Sequence, residues 1–400
     1  MNQIKPAILV ITELFPEEEL FFLGSFVFNQ LKELTKLYRI AVIVPVSFKS
    51  KVKQGFAKRG DLDVYYVKDY FLAFLSAMFK LGLYDLETLI ALKKKFSRRK
   101  IIGLAKKLDK KYKFQLVHGH EAYTGDEATG AGRSLGIPSI ITIHNLYDYH
   151  NQLFGQAAMK AVIKNLNNAD RIVTVSKIAA DSYIANGVKK SFQIIPEGIG
   201  DICAGSSPEP LRGYLKDKTV ILSVGLFLEA GRIDQAIYAA AKLKEKYKNF
   251  VLLIIGTGPL ESLYEQIAAN NGLKDRILVL GQIPPSEMMS YFAAADFILH
   301  PSVVDGFSMV CLEAMAAGKP FICTKNIGIT EYITDGIEAF VVPPDDIAAL
   351  TEKMDLLLKN PGMRKTMGQA AYRASTKFRW DNLIPKISAL YSDSLKGLKT

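Results

Sequence analysis

The 400-residue sequence is 49% hydrophobic, which indicates two or three folded domains with ample core. No run approaches about 18 uninterrupted apolar residues, and the first residues lack the basic start and small-residue cleavage site of a signal peptide. Neither a membrane-spanning helix nor a secretory leader is therefore expected. The cysteines, Cys203, Cys311 and Cys323, are too few for a disulfide framework or a metal cluster, and a reduced, cytoplasmic setting fits them best.

The net charge of +11 is unevenly distributed along the chain. Residues 1–200 hold 29 Lys and Arg against 18 Asp and Glu, whereas residues 201–400 hold 22 of each class. The most basic segment, 93–113, follows an aromatic and apolar segment at 70–83. Residues 70–113 thus predict either peripheral docking on the anionic inner face of the plasma membrane or a solvated helix face beside a core helix. No nucleic-acid-binding motif accompanies the charge, so nucleic acid is not an expected partner.

In chain order, the first half alternates short apolar strands with helices. It opens with a strand at 8–11, a turn containing Gly24, and a helix from about residue 26 to 37. Further strands are predicted at 40–44, 64–67, 116–118, 140–143 and 172–175. A strand, a glycine turn and a helix are typical of a doubly wound domain, so the first half is predicted to be Rossmann-like.

Polar side chains follow two of these predicted strands. His118, His120 and Glu121 end one strand, and His144 with Asn145 ends another. Open parallel sheets hold ligands at the carboxyl ends of their strands, so these residues are candidates for a ligand site. A His-x-His pair is equally common in packed cores. The nearby carboxylates do not complete a ligand set, and no metal is expected.

The second half repeats the strand and helix pattern after a linker. Residues 201–218 contain several Gly, Ser and Pro residues and are predicted to join the two domains. The following strands are predicted at 220–224, 250–255, 277–280 and 297–300, the first three ending in glycine turns. A helix is predicted at 232–247, and residues 383–395 have the pattern of an amphipathic helix.

The segment after the fourth of these strands carries the strongest functional pattern. Its predicted helix, which Gly318 terminates, has one charge, Glu313, among apolar residues, and a buried carboxylate needs a partner. Asp305 precedes Glu313 with seven residues between them. The amides of residues 306–309 are predicted to be free, and a helix N-terminus favours a phosphate or carboxylate.

The spacing of the two acids resembles the acid-x7-acid signature of retaining nucleotide-sugar glycosyltransferases with the GT-B fold, family 4 in type. The resemblance implies that Glu313 holds the ribose hydroxyls and that Asp305 lies near the transferred sugar. Sugar and diphosphate would meet the loop amides of Gly306, Phe307, Ser308, Met309 and Val310. The downstream residues Gly328, Glu331, Asp335 and Gly336 also follow the family pattern.

Further site residues follow from the same resemblance. His120 is expected near the donor sugar. The other implied donor-binding residues are Gly24, in a loop that closes over the donor, Gly225 and Gly258 in phosphate-side turns, and Ile283 with Gln282 beside the base.

The resemblance also implies a fold class, which is α/β with two Rossmann-like doubly wound domains facing across a cleft. Residues 1–200 would form the acceptor domain and residues 201–380 the nucleotide-sugar donor domain. A helix at 381–400 would pack back on the first domain.

The phosphate loop departs from the family pattern. The family presents Arg directly after the glycine and Lys four residues later, but this chain has Leu226 and Ala230. Losing one preorganised charge-stabilising group costs about 3 to 4 kcal/mol in related situations. Arg232 and Lys325 are the candidate substitutes for binding the diphosphate.

Two other positions differ from the family. Asp305 stands where the family usually has Glu, and its side chain is one methylene shorter. Glu197-Gly198 replaces the usual Asn-Gly that follows the last strand of the first domain.

The predicted function is transfer of a sugar, with retention, from a nucleotide diphosphate-sugar to a glycan or lipid-linked acceptor in cell-surface polysaccharide or glycoconjugate synthesis. No cofactor is required. One alternative is a catalytically silent GT-B partner or binding subunit, which the missing cations favour. Another is a nucleotide-sugar epimerase or hydrolase on the same fold.

Overall fold

The computed structural model describes residues 5–16, 24–47, 50–69, 86–200, 208 and 211–396. The chain divides into two compact units. Unit 1 comprises Met1–Gly198 with Trp380–Thr400, and unit 2 comprises Ile199–Arg379. The apolar segment 70–83 and Cys203 lie outside the described residues. None of the helices that the structure describes has the combined length and apolarity needed to cross a membrane.

Unit 1 is built on a mostly parallel sheet. Its described strands are β1 (Ala7–Thr12), β2 (Arg39–Ser47), β3 (Gly55–Arg59), β4 (Leu62–Asp69), β5 (Phe114–His120), β6 (Ser139–Ile143), β7 (Arg171–Thr174) and β8 (Phe192–Ile194). The spatial order is β3-β4-β2-β1-β5-β6-β7-β8, and only the edge pair β3 and β4 is antiparallel among these described strands. The strand order therefore reverses between β1 and β5, where a doubly wound sheet leaves a crevice.

Helices pack on both faces of this sheet. They are α1 (Ser25–Leu34), α2 (Leu86–Tyr112), α3 (Gly125–Leu135), α4 (Tyr147–Asn168) and α5 (Lys177–Ala185). In α2, the residues Ile101, Ala105, Leu108 and Tyr112 are buried at helical spacing. The basic residues between them are exposed, so α2 is a core-packing helix with a solvated basic face.

Unit 2 has a second parallel sheet. Its described strands are β9 (Thr219–Val224), β10 (Phe250–Ile255), β11 (Ile277–Val279), β12 (Phe297–His300), β13 (Phe321–Thr324) and β14 (Ala339–Val342). The order is β11-β10-β9-β12-β13-β14, so it reverses between β9 and β12. The helices are α6 (Arg212–Leu215), α7 (Ile233–Leu243), α8 (Glu261–Asn270), α9 (Pro285–Ala294), α10 (Met309–Ala316), α11 (Ile347–Lys359) and α12 (Pro361–Ser375).

The last helix, α13 (Trp380–Lys396), belongs to unit 1 rather than to the unit that precedes it in sequence. Its residues Ile387, Leu390 and Tyr391 are buried in the core that β1 and β2 also line, and Leu383 is buried as well. The ring of Trp380 lies against Gly198, where a Cβ atom would come within 2.4 Å of the indole. Glycine at this position is therefore what allows the helix to pack closely.

The predicted fold class, two parallel-sheet α/β domains, is confirmed. The predicted strands appear because strands buried on both faces are continuous apolar runs, as in β10, where every residue is buried. Three strands were not predicted from the sequence: β3, whose sequence GFAKR has no buried residue, the three-residue β8, and β14. The helix α1 ends at Leu34, before the predicted residue 37, and α6 lies within the predicted linker.

Candidate functional site

The first candidate site lies at the strand reversal of unit 2, where the loops after β9 and β12 meet. Val303 donates its backbone amide to the carbonyl of Ala230 at 2.9 Å, and the hydroxyl of Ser302 donates to the same carbonyl at 3.1 Å. These bonds hold together the two loops that flank the crevice. A switch point of this kind is where doubly wound sheets bind ligands.

Glycine turns let two further loops approach the β9 loop closely. A Cβ atom on Gly256 would lie 1.8 Å from the carbonyl oxygen of Gly225, and one on Gly258 would lie 2.6 Å from that of Phe227. Gly256 also donates its amide to the carbonyl of Gly281 at 2.9 Å. The loops after β9, β10 and β11 therefore form one continuous backbone surface, and partly exposed Ile283 follows the last of them.

Asp305 caps the loop that leads into α10. Its Oδ1 atom accepts the backbone amides of Phe307 at 3.2 Å and Ser308 at 3.0 Å. The prediction that these amides are free is therefore wrong for Phe307 and Ser308. An aspartate ahead of a helix binds nearby amides through its own side chain, and this local geometry competes with any ligand.

Ser308 is the N-cap of α10 and has an unusual backbone conformation. Its φ of 80° lies in a region that residues other than glycine rarely adopt, which is a form of strain found at functional sites. Its hydroxyl accepts the amide of Cys311 at 3.3 Å. Met309 and Val310 form the first turn that follows.

His300, at the end of β12, supports the same loop. Its Nε2 atom lies 3.1 Å from the hydroxyl of Ser308 and 3.4 Å from Oδ2 of Asp305. Burial opposes a charge on this imidazole, but Cys311 and the carboxylate of Asp305 outweigh burial and raise the pKa of His300. His300 and Asp305 thus support each other.

Glu313 is on α10, and its side chain has no hydrogen bond or ion pair with any described residue. The residue keeps part of its surface accessible, while neighbouring protein atoms remove part of the water from around its carboxyl group. This desolvation raises the pKa of Glu313 to about 7. An acid left unpaired at this point is available to accept hydrogen bonds from a ligand.

The two candidate cations differ in their surroundings. Arg232 Nε lies 2.8 Å from Oδ1 of Asp345, an ion-pair contact without hydrogen-bond alignment, and Gln235 donates to the same oxygen at 2.7 Å. Lys325 is exposed and its side chain has no partner among the described residues. Leu226 is 40% exposed, so the position expected to hold an arginine faces solvent.

In unit 1, Gly24 occupies a tightly packed turn. Its φ is 72°, and a Cβ atom there would lie 2.2 Å from the backbone carbon of Leu14 and 2.6 Å from the amide of Phe15. Only glycine can join the loop after β1 to α1 in this way.

The predicted histidine site of unit 1 is a buried polar network at the ends of β5 and β6. His120 Nδ1 lies 3.0 Å from Nε2 of His144, and His144 Nδ1 lies 2.5 Å from Oε1 of Glu197. Glu121 accepts the backbone amide of His144 at 3.0 Å and pairs with His150 at 3.3 Å. These ion-pair and hydrogen-bond contacts outweigh the desolvation and lower the pKa of Glu121 to about 2.

His118 has a separate structural role in the same strand. Its ring nitrogens each lie 2.7 Å from a hydroxyl, one of Tyr391 and one of Thr142. Burial and the nearby His144 lower the pKa of His118 to about 3, so this ring is neutral. The contact ties α13 to β5.

Several residues that contact the predicted site residues were not identified from the sequence. His300, Tyr391 and Asp345 carry no local motif, and Tyr391 is 273 positions from His118. A histidine at the end of an apolar strand was the one sequence signal for His300. Across the described part of the chain, no group of three or more His, Cys, Asp or Glu residues could hold a metal ion, and Cys311 and Cys323 are free thiols.

Two known protein families match this chain. Residues 212–374 match the family described as "Glycosyl transferases group 1", and residues 88–200 match "Glycosyltransferase Family 4". The chain is a glycosyltransferase of the GT-B fold and family 4 type. Its enzyme class is that of the hexosyltransferases.

Known proteins similar to this glycosyltransferase extend across most of its length. The D-inositol 3-phosphate glycosyltransferase of Acidothermus cellulolyticus is 27% identical, with 72% of this chain and 69% of that protein covered. The solved sucrose-phosphate synthase of Thermosynechococcus elongatus is 19% identical with a TM-score of 0.77, covering 98% and 100% of the two chains. Anabaena HepE, solved with UDP-glucose, is 17% identical with a TM-score of 0.74, covering 97% and 99%.

Proposed function

We propose that this glycosyltransferase transfers a sugar from a nucleotide diphosphate-sugar, held at the β9/β12 reversal of unit 2, with retention of the anomeric configuration. The acceptor is a glycan or a lipid-linked glycan. No metal or other cofactor takes part. The UDP-glucose bound to Anabaena HepE makes uridine diphosphate sugars the first donors to test.

The observation that carries this proposal is the state of Glu313. A carboxyl group that is desolvated and has no protein partner contributes nothing favourable to folding, because its ionised form is penalised by burial. Two vicinal ribose hydroxyls would give it the hydrogen bonds that the protein does not, and hydrogen bonds to a charged acceptor are among the stronger ones.

The diphosphate would lie against the glycine turns at Gly225 and Gly258, where the loops after β9 and β10 pack backbone against backbone. Lys325 is the better placed of the two candidate cations, because Asp345 already pairs with Arg232. The N-terminal turn of α10 adds the positive end of a helix dipole. Its free amides are fewer than predicted, since Asp305 occupies those of Phe307 and Ser308.

We assign Asp305 and His120 roles toward the transferred sugar. In this proposal Asp305 acts chiefly by shaping the loop, and its Oδ2 atom, 3.4 Å from His300, retains capacity to accept from a sugar hydroxyl. His120 contributes its Nε2 atom, which is buried and has no hydrogen-bond partner among the described residues. The Gly24 turn positions α1 beside the strand that ends at His120.

The acceptor proposal rests on charge. Among residues 97–112 of α2, where side-chain exposure is described, the exposed basic residues are Arg99, Lys100, Lys106, Lys107, Lys110 and Lys111. Such a face attracts an anionic surface or a phosphate-linked acceptor, and supports peripheral contact with the inner face of the plasma membrane in cell-surface polysaccharide or glycoconjugate synthesis. Sedimentation with liposomes that contain or lack anionic lipid tests the contact, and equal sedimentation with both would refute it.

Donor turnover with product analysis tests the proposal. UDP-, GDP- and ADP-sugars are incubated with the protein and candidate acceptors, and the anomeric coupling of the product is read by proton NMR. We expect one base to be used, the product to keep the donor's anomeric configuration, and Glu313→Ala to raise KM for the donor. Inverted product would refute retention, and unchanged donor KM in Glu313→Ala would refute the ribose role.

A further inference from the structure

Three polar side chains form a continuous buried chain in unit 1. Glu197 Oε1 lies 2.5 Å from His144 Nδ1, and His144 Nε2 lies 3.0 Å from His120 Nδ1. All three residues are less than 10% exposed. The chain ends at His120 Nε2, a buried atom without a hydrogen-bond partner in the described part of the protein. A polar atom left unpaired at such depth points to a ligand.

The groups around Glu197, His144 and His120 already have hydrogen-bond or packing partners. Glu121 accepts the backbone amide of His144 and pairs with His150, and the ring of His118 lies 4.2 Å from that of His120. His118 itself bonds to two hydroxyls. From α1, the aromatic ring of Phe26 packs 4.8 Å from His144 and carries no proton to exchange. Within the described residues, His120 Nε2 is the fully buried atom of these three side chains that has no hydrogen-bond partner.

The proton positions along the chain follow from donor and acceptor roles. Because the carboxylate of Glu197 can only accept, His144 carries a proton on Nδ1. If His144 is also protonated on Nε2, it donates to His120 Nδ1, and the single proton of a neutral His120 must lie on Nε2. If His144 Nε2 is unprotonated, it accepts from His120 Nδ1, and His120 Nε2 becomes an acceptor.

The pKa shifts of His144 and His120 favour the state in which His144 is protonated on both ring nitrogens. Burial opposes a charge on His144, but Glu197 and Glu121 outweigh burial and raise the pKa of His144. Burial and the two neighbouring histidines lower the pKa of His120 well below its usual value, so His120 remains neutral. A charged His144 next to a neutral His120 is the arrangement that places the proton on His120 Nε2.

We propose that Glu197 and His144 are positioning residues that set the tautomer of His120, so that His120 presents an Nε2–H donor to a hydroxyl oxygen of the bound sugar. Deprotonation of His144 reverses the polarity of His120 from donor to acceptor. The inference rests on the proposed sugar role of His120. It also gives a reason for glutamate at position 197, because the neutral amide of the usual asparagine would not hold a charge on His144.

The hydrogen-bonded residues Glu197, His144 and His120 form a relay, and histidine NMR tests this relay without any substrate. The chain has five histidines, so 15N-histidine labelling gives five rings, and His120 and His144 are assigned from His120→Asn and His144→Asn. We expect the neutral His120 ring to carry its proton on Nε2 in the native protein and on Nδ1 in Glu197→Gln. Glu197→Asp, which keeps the charge, should keep the proton on Nε2.

The matched control is Tyr391→Phe, which removes a buried partner of the adjacent His118 and leaves the relay intact. It should not change the His120 tautomer. A proton on Nδ1 in the native protein would overturn the proposal, and so would an Nε2 proton that persists in Glu197→Gln. If Glu197→Gln does not fold, titration of the native protein decides, since deprotonation of His144 must move the His120 proton to Nδ1.

Kinetics separate the relay from the sugar role. With a working donor, Glu197→Gln should lower kcat/KM by about tenfold, the loss expected for one hydrogen bond, and Glu197→Asp should recover most of it. The pH profile of kcat/KM should lose the limb that reports His144. If the tautomer changes as expected but kcat/KM does not, the relay stands and the proposed role of His120 toward the sugar is refuted.

Discussion

Asp305 accepts the backbone amide of Ser308 at 3.0 Å, and this bond closes the loop that opens α10. The same oxygen accepts from Phe307, so one carboxylate satisfies two amides that a ligand was expected to bind. The shorter acid of this chain therefore has a structural function at the entrance of the acid-x7-acid motif. In the proposed function, the sugar would have to compete for, or share, a side chain that already shapes the loop.

Asp305→Ala should destabilise unit 2 by about 1 to 2 kcal/mol, since it removes an acceptor for two amides near a helix N-terminus. Asp305→Asn keeps an oxygen at the same place and should cost less than about 0.5 kcal/mol. Urea unfolding of both variants measures the difference. Equal losses in the two variants would show that charge, rather than the amide bonds, holds the loop.

Glu313 should make stability depend on pH. Because its folded pKa of about 7 exceeds the ordinary value of 4.5, the folded chain holds a proton that the unfolded chain releases between these pH values. Below the unfolded pKa the protonated carboxyl carries no desolvation penalty, and stability is lost as the pH rises from 4.5 through 7. Glu313→Gln does not ionise, so it should gain up to about 3 kcal/mol relative to the native protein between pH 5 and pH 8.

The measurement is denaturant unfolding of both proteins at these two pH values. Comparing how much the stability of each protein changes between pH 5 and pH 8 removes any pH-independent effect of the Glu313→Gln substitution. The matched control is Glu352→Gln, whose side chain is 66% exposed and should show no such dependence. If the stability difference between Glu313→Gln and the native protein is the same at both pH values, the carboxyl of Glu313 is not desolvated in the folded chain.

Gly24→Ala should destabilise unit 1 by more than about 2 kcal/mol, because a methyl group would overlap the backbone of Leu14 in addition to the strain of a positive φ. Gly136, with φ 69° and no atom within 4 Å of its Cβ position, is the matched control. Gly136→Ala should cost only about 1 kcal/mol. Unfolding followed by the fluorescence of Trp380, the single tryptophan, reports on unit 1.

Leu226→Arg should tighten the binding of a nucleoside diphosphate by roughly tenfold, since a charge-assisted hydrogen bond contributes about 1.5 kcal/mol or more. The position is 40% exposed, so the larger side chain fits without repacking. Tyr238→Arg, at an exposed position on α7, adds the same charge elsewhere in unit 2. Isothermal titration calorimetry compares them, and equal affinities would mean that the β9 loop does not face the diphosphate.

Much of the fold could be predicted because its buried strands are continuous apolar runs separated by glycine turns. The edge strand β3 and the short β8 could not be predicted, because neither has a buried apolar run. Glu313 was found because a lone charge in an apolar helix stands out in sequence. The amide bonds of Asp305 were missed, although an aspartate ahead of a helix is a known local signal.

The relay could not be predicted because its contacts join residues that are distant in sequence. His120 and His144 are 24 positions apart, and His144 and Glu197 are 53 apart. The sheet brings them together by placing the ends of β5 and β6 side by side, and no local pattern encodes which ring nitrogens then meet. Glu197 stood out in the sequence only as a departure from the family residue.

Binding of a nucleotide diphosphate-sugar to unit 2 through Glu313 is tested by thermal unfolding in the presence of UDP, GDP, ADP and their sugar conjugates. A ligand at about 100 times its dissociation constant stabilises a folded protein by about 2.7 kcal/mol, which raises the midpoint visibly. We expect the midpoint to rise with nucleotides of one base, the rise to be lost in Glu313→Ala, and the rise to be kept in Glu352→Ala. No rise with any nucleotide, or a rise that survives Glu313→Ala, would contradict it.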